Sequence, residues 1–150
     1  MAGLQSRYAG TAASKGLLLE CRVDAGVPAE LMGDARRVEQ ILANLVGNAV
    51  KFTSAGRVSV QVRAEHVAGA DALLVCTVAD TGVGIPAAEV GKIFSLFQQV
   101  DGSHARAAGG SGLGLAIVRH ISGLMGGEVT VQSKHGIGSV FTVRLPLQLP

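Results

Sequence analysis

Residues 34–52, DARRVEQILANLVGNAVKF, place Val38, Ile41, Leu42, Leu45 and Ala49 at i, i+3, i+4, i+7 and i+11. That spacing is one apolar stripe along an α-helix, and Asp34 is a residue type that caps such a helix. LGLAIVRHISGLM (113–125) has helix-like apolar intervals, so a second helix should begin near Gly112 or Leu113. LQSRYAGTAAS (4–14) predicts a short helix with a weak apolar face, and PAAEVGKIF (86–94) another. KGLLLECRV (15–23) reads as a strand, and RVSVQVRAEH (57–66) alternates as a half-buried strand does. ALLVCTVAD (72–80) is almost continuously apolar, which predicts the central strand. EVTVQSK (128–134) and SVFTVRLPL (139–147) are two further strands joined by the HGIG turn. Between Ser95 and Ser111 the chain is polar and glycine-rich without periodicity, and loops of that length inside a domain are usually functional lids. Helices and strands mix without a repeating βαβ period. The expected fold is therefore an α/β two-layer sandwich, a mixed sheet of about five strands with helices on one face.

The long helix carries a second stripe. Asn44, Asn48 and Lys51 recur at i, i+4 and i+7, about a quarter-turn from the apolar one at ~100° per residue. The stripe thus lies at the rim of the core, where a cleft would open. Two amide oxygens one turn apart can ligate a hard cation such as Mg²⁺, and a lysine beyond them can neutralise a phosphate. The same three residues would equally serve as a solvated face. Asn is a poor helix former, however, and two in one rim stripe weigh against that blander role.

Composition narrows the class. The chain of 150 residues is 48% hydrophobic and 16% charged, which fits one globular domain with a genuine core. A net charge of +2 without a basic run argues against a nucleic-acid surface. Cys21 and Cys76 lack CxxC spacing and read as buried free thiols, and the four histidines lack metal-ligand spacing. There is no apolar run of membrane-spanning length.

Two glycine-rich stretches remain. GGSGLGLAI (109–117) leads straight into the second amphipathic helix. A helix start gathers free N–H groups and partial positive charge, so phosphate is its usual guest, although a flexible connection has the same composition. DTGVGIP (80–86) follows the most apolar strand. A carboxylate there can accept a hydrogen bond from a buried ligand amine while the glycines let the backbone approach a flat ring, or the stretch is simply a strand-ending turn.

In order and spacing these motifs resemble the ATP-binding catalytic domain of sensor histidine kinases, within the gyrase–Hsp90–MutL superfamily. The resemblance rests on QILANLVGNAVKFT (40–53), DTGVGIP, KIFSLFQQVD (92–101), GGSGLGLAI and MGGEVTVQSKHGIGSVFTVRLPL (125–147), and covers residues 4–147. It implies a Bergerat-type ATP-binding fold. Asp80 would bind the adenine amino group, with Gly82, Gly84 and Ile85 beside it, and Phe52 would stack near the base. Asn48, helped by Asn44, would hold Mg²⁺, with Lys51 on phosphate. Gly110, Ser111, Gly112, Leu113, Gly114 and Leu115 would form the lid hinge and triphosphate cradle, the lid itself being residues 98–111. Phe97 belongs to the phenylalanine box, and Ser139 would touch the adenine site through water.

Hydrolysing members of the superfamily carry a glutamate one turn before the metal-binding asparagine. Here that position is Asn44, and an amide cannot act as a general base. The resemblance therefore implies phosphoryl transfer to an external histidine, with a hydrolytic ATPase or a degenerate nucleotide-sensing module as the alternatives. None of His66, His104, His120 or His135 is followed by an acidic residue, as a phosphoacceptor histidine is. Residues 1–14 would be the remnant of a linker and 15–150 the catalytic domain, monomeric as a fragment of a homodimeric parent. Its implied partners are a helical dimerisation and phosphoacceptor domain and a response-regulator receiver domain. The resemblance implies a cytoplasmic location, with a parent kinase that the inner membrane could anchor.

Overall fold

The computed structural model describes residues 2–94 and 114–150. In chain order they form α1 (Ala2–Ser14), β1 (Leu18–Val23), α2 (Ala35–Phe52), β2 (Arg57–Ala68), β3 (Asp71–Asp80), α3 (Ala87–Val90), α4 (Gly114–Leu124), β4 (Glu128–Lys134) and β5 (Gly138–Gln148). Asp34 caps α2 as its type suggests: Oδ1 accepts from the backbone N–H of Arg36 and Arg37 at 3.1 and 3.2 Å. Of the expected stripe the helix buries Ile41, Leu42, Leu45 and Ala49, with Val38 only half-buried against the core, and it also buries Ala43, Val46 and Val50. Those extra positions are covered because α2 packs against α1 and α4 as well as against β2 and β3.

The sheet runs β1-β2-β3-β5-β4. β1 is parallel to β2 and every other neighbouring pair is antiparallel, so the sheet is mixed and β3 is central, as its apolar run implies. Register aligns core-facing residues in rows across the strands: Val60, Val78, Phe141 and Val131 form one, and Val62, Cys76, Val143 and Val129 the next. The opposite face is polar. Val75 is nonetheless fully buried there, because register sets it between Arg63 and Arg144, both of which reach Glu65.

Two boundaries differ by more than two residues from the pattern-based expectation. Strand β1 starts at Leu18 rather than Lys15, because Lys15–Leu17 complete the end of α1. Gly16 N–H donates to Ala13 O and Leu17 N–H to Ala12 O, the paired bonds of a Schellman cap, with Ala12 and Leu17 buried together. Helix α3 stops at Val90 instead of reaching Phe94, since Gly91 forms its C-cap and turns follow. Cys76 is buried and its thiol is pushed up to about 12 by burial, an inert core group, whereas Cys21 lies half-exposed on the edge strand β1.

Helix α1 is tied firmly to α2. Leu4 and Ala12 join the common core, and Tyr8 OH donates to Ala43 O at 2.9 Å. Lys15 Nζ donates to the carbonyls of Val50 and Lys51 in the last turn of α2, where a cation also meets the negative end of the helix dipole. At the far end of the sheet from Asp80, Met32 bridges Gln148, and Leu149 N–H donates to Ala70 O. Among the described residues no helix is long and apolar enough to cross a membrane.

Replacing Asp34 by Ala should lower unfolding free energy by about 1 kcal/mol, the usual worth of such a cap. Urea titration would show a lower midpoint at unchanged slope, and Asp34→Ser should restore most of the loss.

Candidate nucleotide site

The apolar rows of the sheet give way to a polar one at the carboxyl end of β3. Register places Asp80 opposite Ser139 on β5, and Ser139 opposite Ser133 on β4, all on the helix-bearing face. Ser133 Oγ donates to Gly138 O at 3.0 Å and accepts from Ile85 N–H at 2.8 Å. With its only proton given to Gly138, Ser133 must accept from Ser139 Oγ across their 2.8 Å contact. Ser139 therefore keeps acceptor capacity toward anything bound beside it.

Asp80 is half-buried, and burial pushes its carboxyl above the ordinary aspartate range. Hydrogen bonds from the backbone of Gly82 and Ser139 act in the opposite direction. Gly82 N–H reaches Oδ1 at 2.9 Å. A carboxylate at the end of a hydrophobic sheet face has lone pairs beyond those two bonds, and can accept from a ligand donor.

The turn after Asp80 is fastened on two sides. Val83 N–H donates to Phe52 O at 3.4 Å, tying the turn to the end of α2, and Gly136 N–H donates to Val83 O at 2.7 Å, tying it to the β4–β5 turn. Gly84 has φ +68°, and a side chain there would run into the carbonyl of Lys134. Gly82 is constrained differently: a Cβ would lie 2.5 Å from Phe52 O, 2.8 Å from Thr53 Oγ1 and 3.0 Å from Asp80 Oδ1. Both glycines are thus required by close approach, the second kind of reason a turn motif holds glycine.

Helix α2 brings its polar stripe to the same end. A Cβ on Gly114, the first residue of α4, would lie 3.5 Å from Asn48 Nδ2, so Asn48 faces the start of that helix. Asn44 is half-buried, and its Nδ2 has no hydrogen-bond partner among the described residues. Lys51 is exposed on the last turn, and Phe52 is half-buried beside it. Ile85 is buried below the turn, and Leu115 packs on the core from the first turn of α4. Phe97, Gly110, Ser111, Gly112 and Leu113, with the expected lid 98–111, lie outside the described residues. Phe94 is described, and packs edge-on against Phe141 with ring centroids 6.2 Å apart.

Among the described residues no three His, Cys, Asp or Glu side chains group together, so the site offers neutral amides and no cluster of anions. A dication there would need its charge balanced by phosphate oxygens, with the amide oxygens of Asn44 and Asn48 as its protein donors, while Asn44 Nδ2, which has no partner among the described residues, is free to donate to a phosphate oxygen. The residues fit a magnesium–nucleotide complex better than a bare ion.

Sequence reasoning overlooked two residues of this end. Ser133 was findable as the cross-strand partner of Ser139 once the last hairpin was paired. Thr53 closes α2 fully buried, and nothing in a terminal threonine signals that.

Residues 33–149 match the family described as histidine kinase-, DNA gyrase B-, and HSP90-like ATPase. The chain belongs to that family. The chain is 42% identical over 144 residues to the sensor histidine kinase RcsC of Escherichia coli (strain K12), covering 96% of this chain and 15% of RcsC. It is 38% identical over 136 residues to the hybrid signal transduction histidine kinase B of Dictyostelium discoideum, 91% of this chain and 7% of that protein. Among solved structures, full-length ShkA in complex with AMPPNP superposes with a TM-score of 0.81 at 35% identity, over 99% of this chain and 29% of that one. The chain thus spans a small part of each of these relatives. The expected α/β fold and the resemblance to sensor histidine kinase catalytic domains are both borne out.

The half-buried Asp80 carboxylate has a measurable signature in this histidine kinase-like ATPase domain. A carboxyl held above its unfolded value binds its proton more tightly when folded, so stability falls as pH rises from the unfolded toward the folded pKa. Asp80→Asn should therefore make the nucleotide-free domain more stable at neutral pH, and the gain should vanish below about pH 4. Thermal melts of both proteins across that range check it; a gain independent of pH would contradict the burial argument.

Proposed function

We propose that this chain binds Mg²⁺-ATP and passes the γ-phosphoryl group to a histidine on a separate helical domain of a two-component sensor kinase. The observation that carries the reading is the polar row ended by Asp80, a half-buried carboxylate held by the backbone of Gly82 and Ser139, with acceptor capacity left for an exocyclic amine. Likeness to named sensor histidine kinases supports it.

In this reading Asp80 selects adenine, Ser139 offers an acceptor to an intervening water, and Gly82, Gly84 and Ile85 form the floor beneath the base with Phe52 at its side. Asn48 and Asn44 would hold Mg²⁺, which when bound neutralises charge on the phosphates. Lys51 supplies a cation at the rim, and the start of α4 at Gly114, opposite Asn48, would receive the phosphates. Among the described residues the metal end groups no carboxylates: Asn44 stands where a hydrolysing enzyme places its base, so water is not activated. The imidazole lone pair of an external histidine attacks phosphorus, the N–P bond forms, the bond to the bridging oxygen breaks, and ADP leaves with the electron pair. Such transfer depends on positioning and charge stabilisation, which this scaffold supplies. A receiver domain would then accept the phosphoryl group from the histidine.

Two results are expected. Asp80→Asn should weaken ATP and ADP alike, by about 10- to 150-fold for one charge-assisted bond, measured by titration calorimetry. Asn48→Ala should instead weaken binding only when Mg²⁺ is present.

Incubated alone with γ-labelled ATP, the chain should neither label itself nor release phosphate steadily. Adding the cognate helical domain should place acid-labile, base-stable label on that partner. Steady phosphate release without it would favour the hydrolytic alternative.

A further inference from the structure

Thr53 is the C-cap of α2 and is completely buried. Its Oγ1 has no hydrogen-bond partner among the described residues, so it does not satisfy the last carbonyls of the helix it follows. A valine of the same shape would fill that space without a stranded hydroxyl. Buried polar groups left unpaired are uncommon in folded proteins, and each one calls for an explanation.

The surroundings of Thr53 supply one. The point where a side chain of Gly82 would begin is bordered by Thr53 Oγ1, Asp80 Oδ1 and Phe52 O. Phe52 O already accepts from Val83 N–H, and Asp80 Oδ1 accepts from Gly82 N–H. Of these three oxygens only Thr53 carries a proton to donate. A carboxylate oxygen accepts more than one hydrogen bond, so Oδ1 has room for a second donor.

We propose that Thr53 is a positioning residue for Asp80, its hydroxyl donating to Oδ1 when a base amine engages Oδ2. The inference rests on the reading of Asp80 as the adenine contact. The amine fixes the plane of the carboxylate, and Thr53 with Gly82 N–H then holds it from behind. Both donors favour the ionised acceptor that an amine requires, against the burial that opposes it. Fixing the C-cap residue of α2 also links the base contact to the helix that carries Asn44 and Asn48.

The test compares two ligands by calorimetry on the whole chain: ATP, and purine riboside triphosphate, which lacks the 6-amino group. Thr53→Val should lower ATP affinity about tenfold, the scale of one hydrogen bond to a charged group, and leave purine riboside triphosphate unchanged. Thr53→Ser should bind both as the parent does. Equal loss with both ligands would overturn the proposal in favour of a packing role, as would no loss with either. If Thr53→Val does not fold, Thr53→Ala is read against Thr53→Ser in the same way. Asp80→Asn run on the same pair separates the two levels of the reading. If Asp80→Asn discriminates between the ligands and the Thr53 variants do not, the Thr53 role alone fails. If Asp80→Asn does not discriminate, the base contact itself is misassigned.

Discussion

The seating of α2 across β2 and β3 is the constraint on which the rest depends. An 18-residue helix buries its apolar side on the sheet, and its last turn must then arrive at the end of β3. The bond from Val83 N–H to Phe52 O fastens it there. From that one placement follow the position of Asn48 opposite the start of α4, the closeness of Thr53 to Gly82, and the need for glycine in the turn. Lys15 adds a brace from the other side by meeting the carbonyls of Val50 and Lys51.

The site occupies a change of solvent character within one sheet face. Rows built from valine, cysteine and phenylalanine exclude water along most of β3, and the final row substitutes Asp80, Ser139 and Ser133. A carboxyl at that border is neither fully solvated nor fully paired, and its raised proton affinity is the physical record of that position. Affinity for a ligand amine and intrinsic stability pull in opposite directions at this residue. Such opposition is common where function requires a polar group in an apolar setting.

Much of this was legible in the chain. The period-3.6 stripe and Asp34 located α2 to within a residue, and the apolar run at 72–80 announced the central strand, which β2 and β5 flank on either edge. Asp80, Asn44 and Asn48 stood out because their residue types conflict with their local surroundings. What stayed hidden was set by contacts across the fold. The late start of β1 depends on a helix cap at Gly16, and the short α3 on a break at Gly91. Thr53 is ordinary in sequence and becomes unusual only when α2, β3 and the Asp80 turn close around its hydroxyl. Ser133 acquires meaning only from the register of β4 on β5.

The bridge of Met32 to Gln148 and the bond from Leu149 to Ala70 sit at the opposite end of β3 from Asp80. Ten residues of central strand separate the two ends, a span of about 30 Å at the usual rise of an extended chain. Chemistry attached to the β2–β3 hairpin, such as a fluorophore or a tether to a surface, would therefore leave the polar row clear. The domain has a natural handle, and a reporter could be mounted there to read occupancy at the other end.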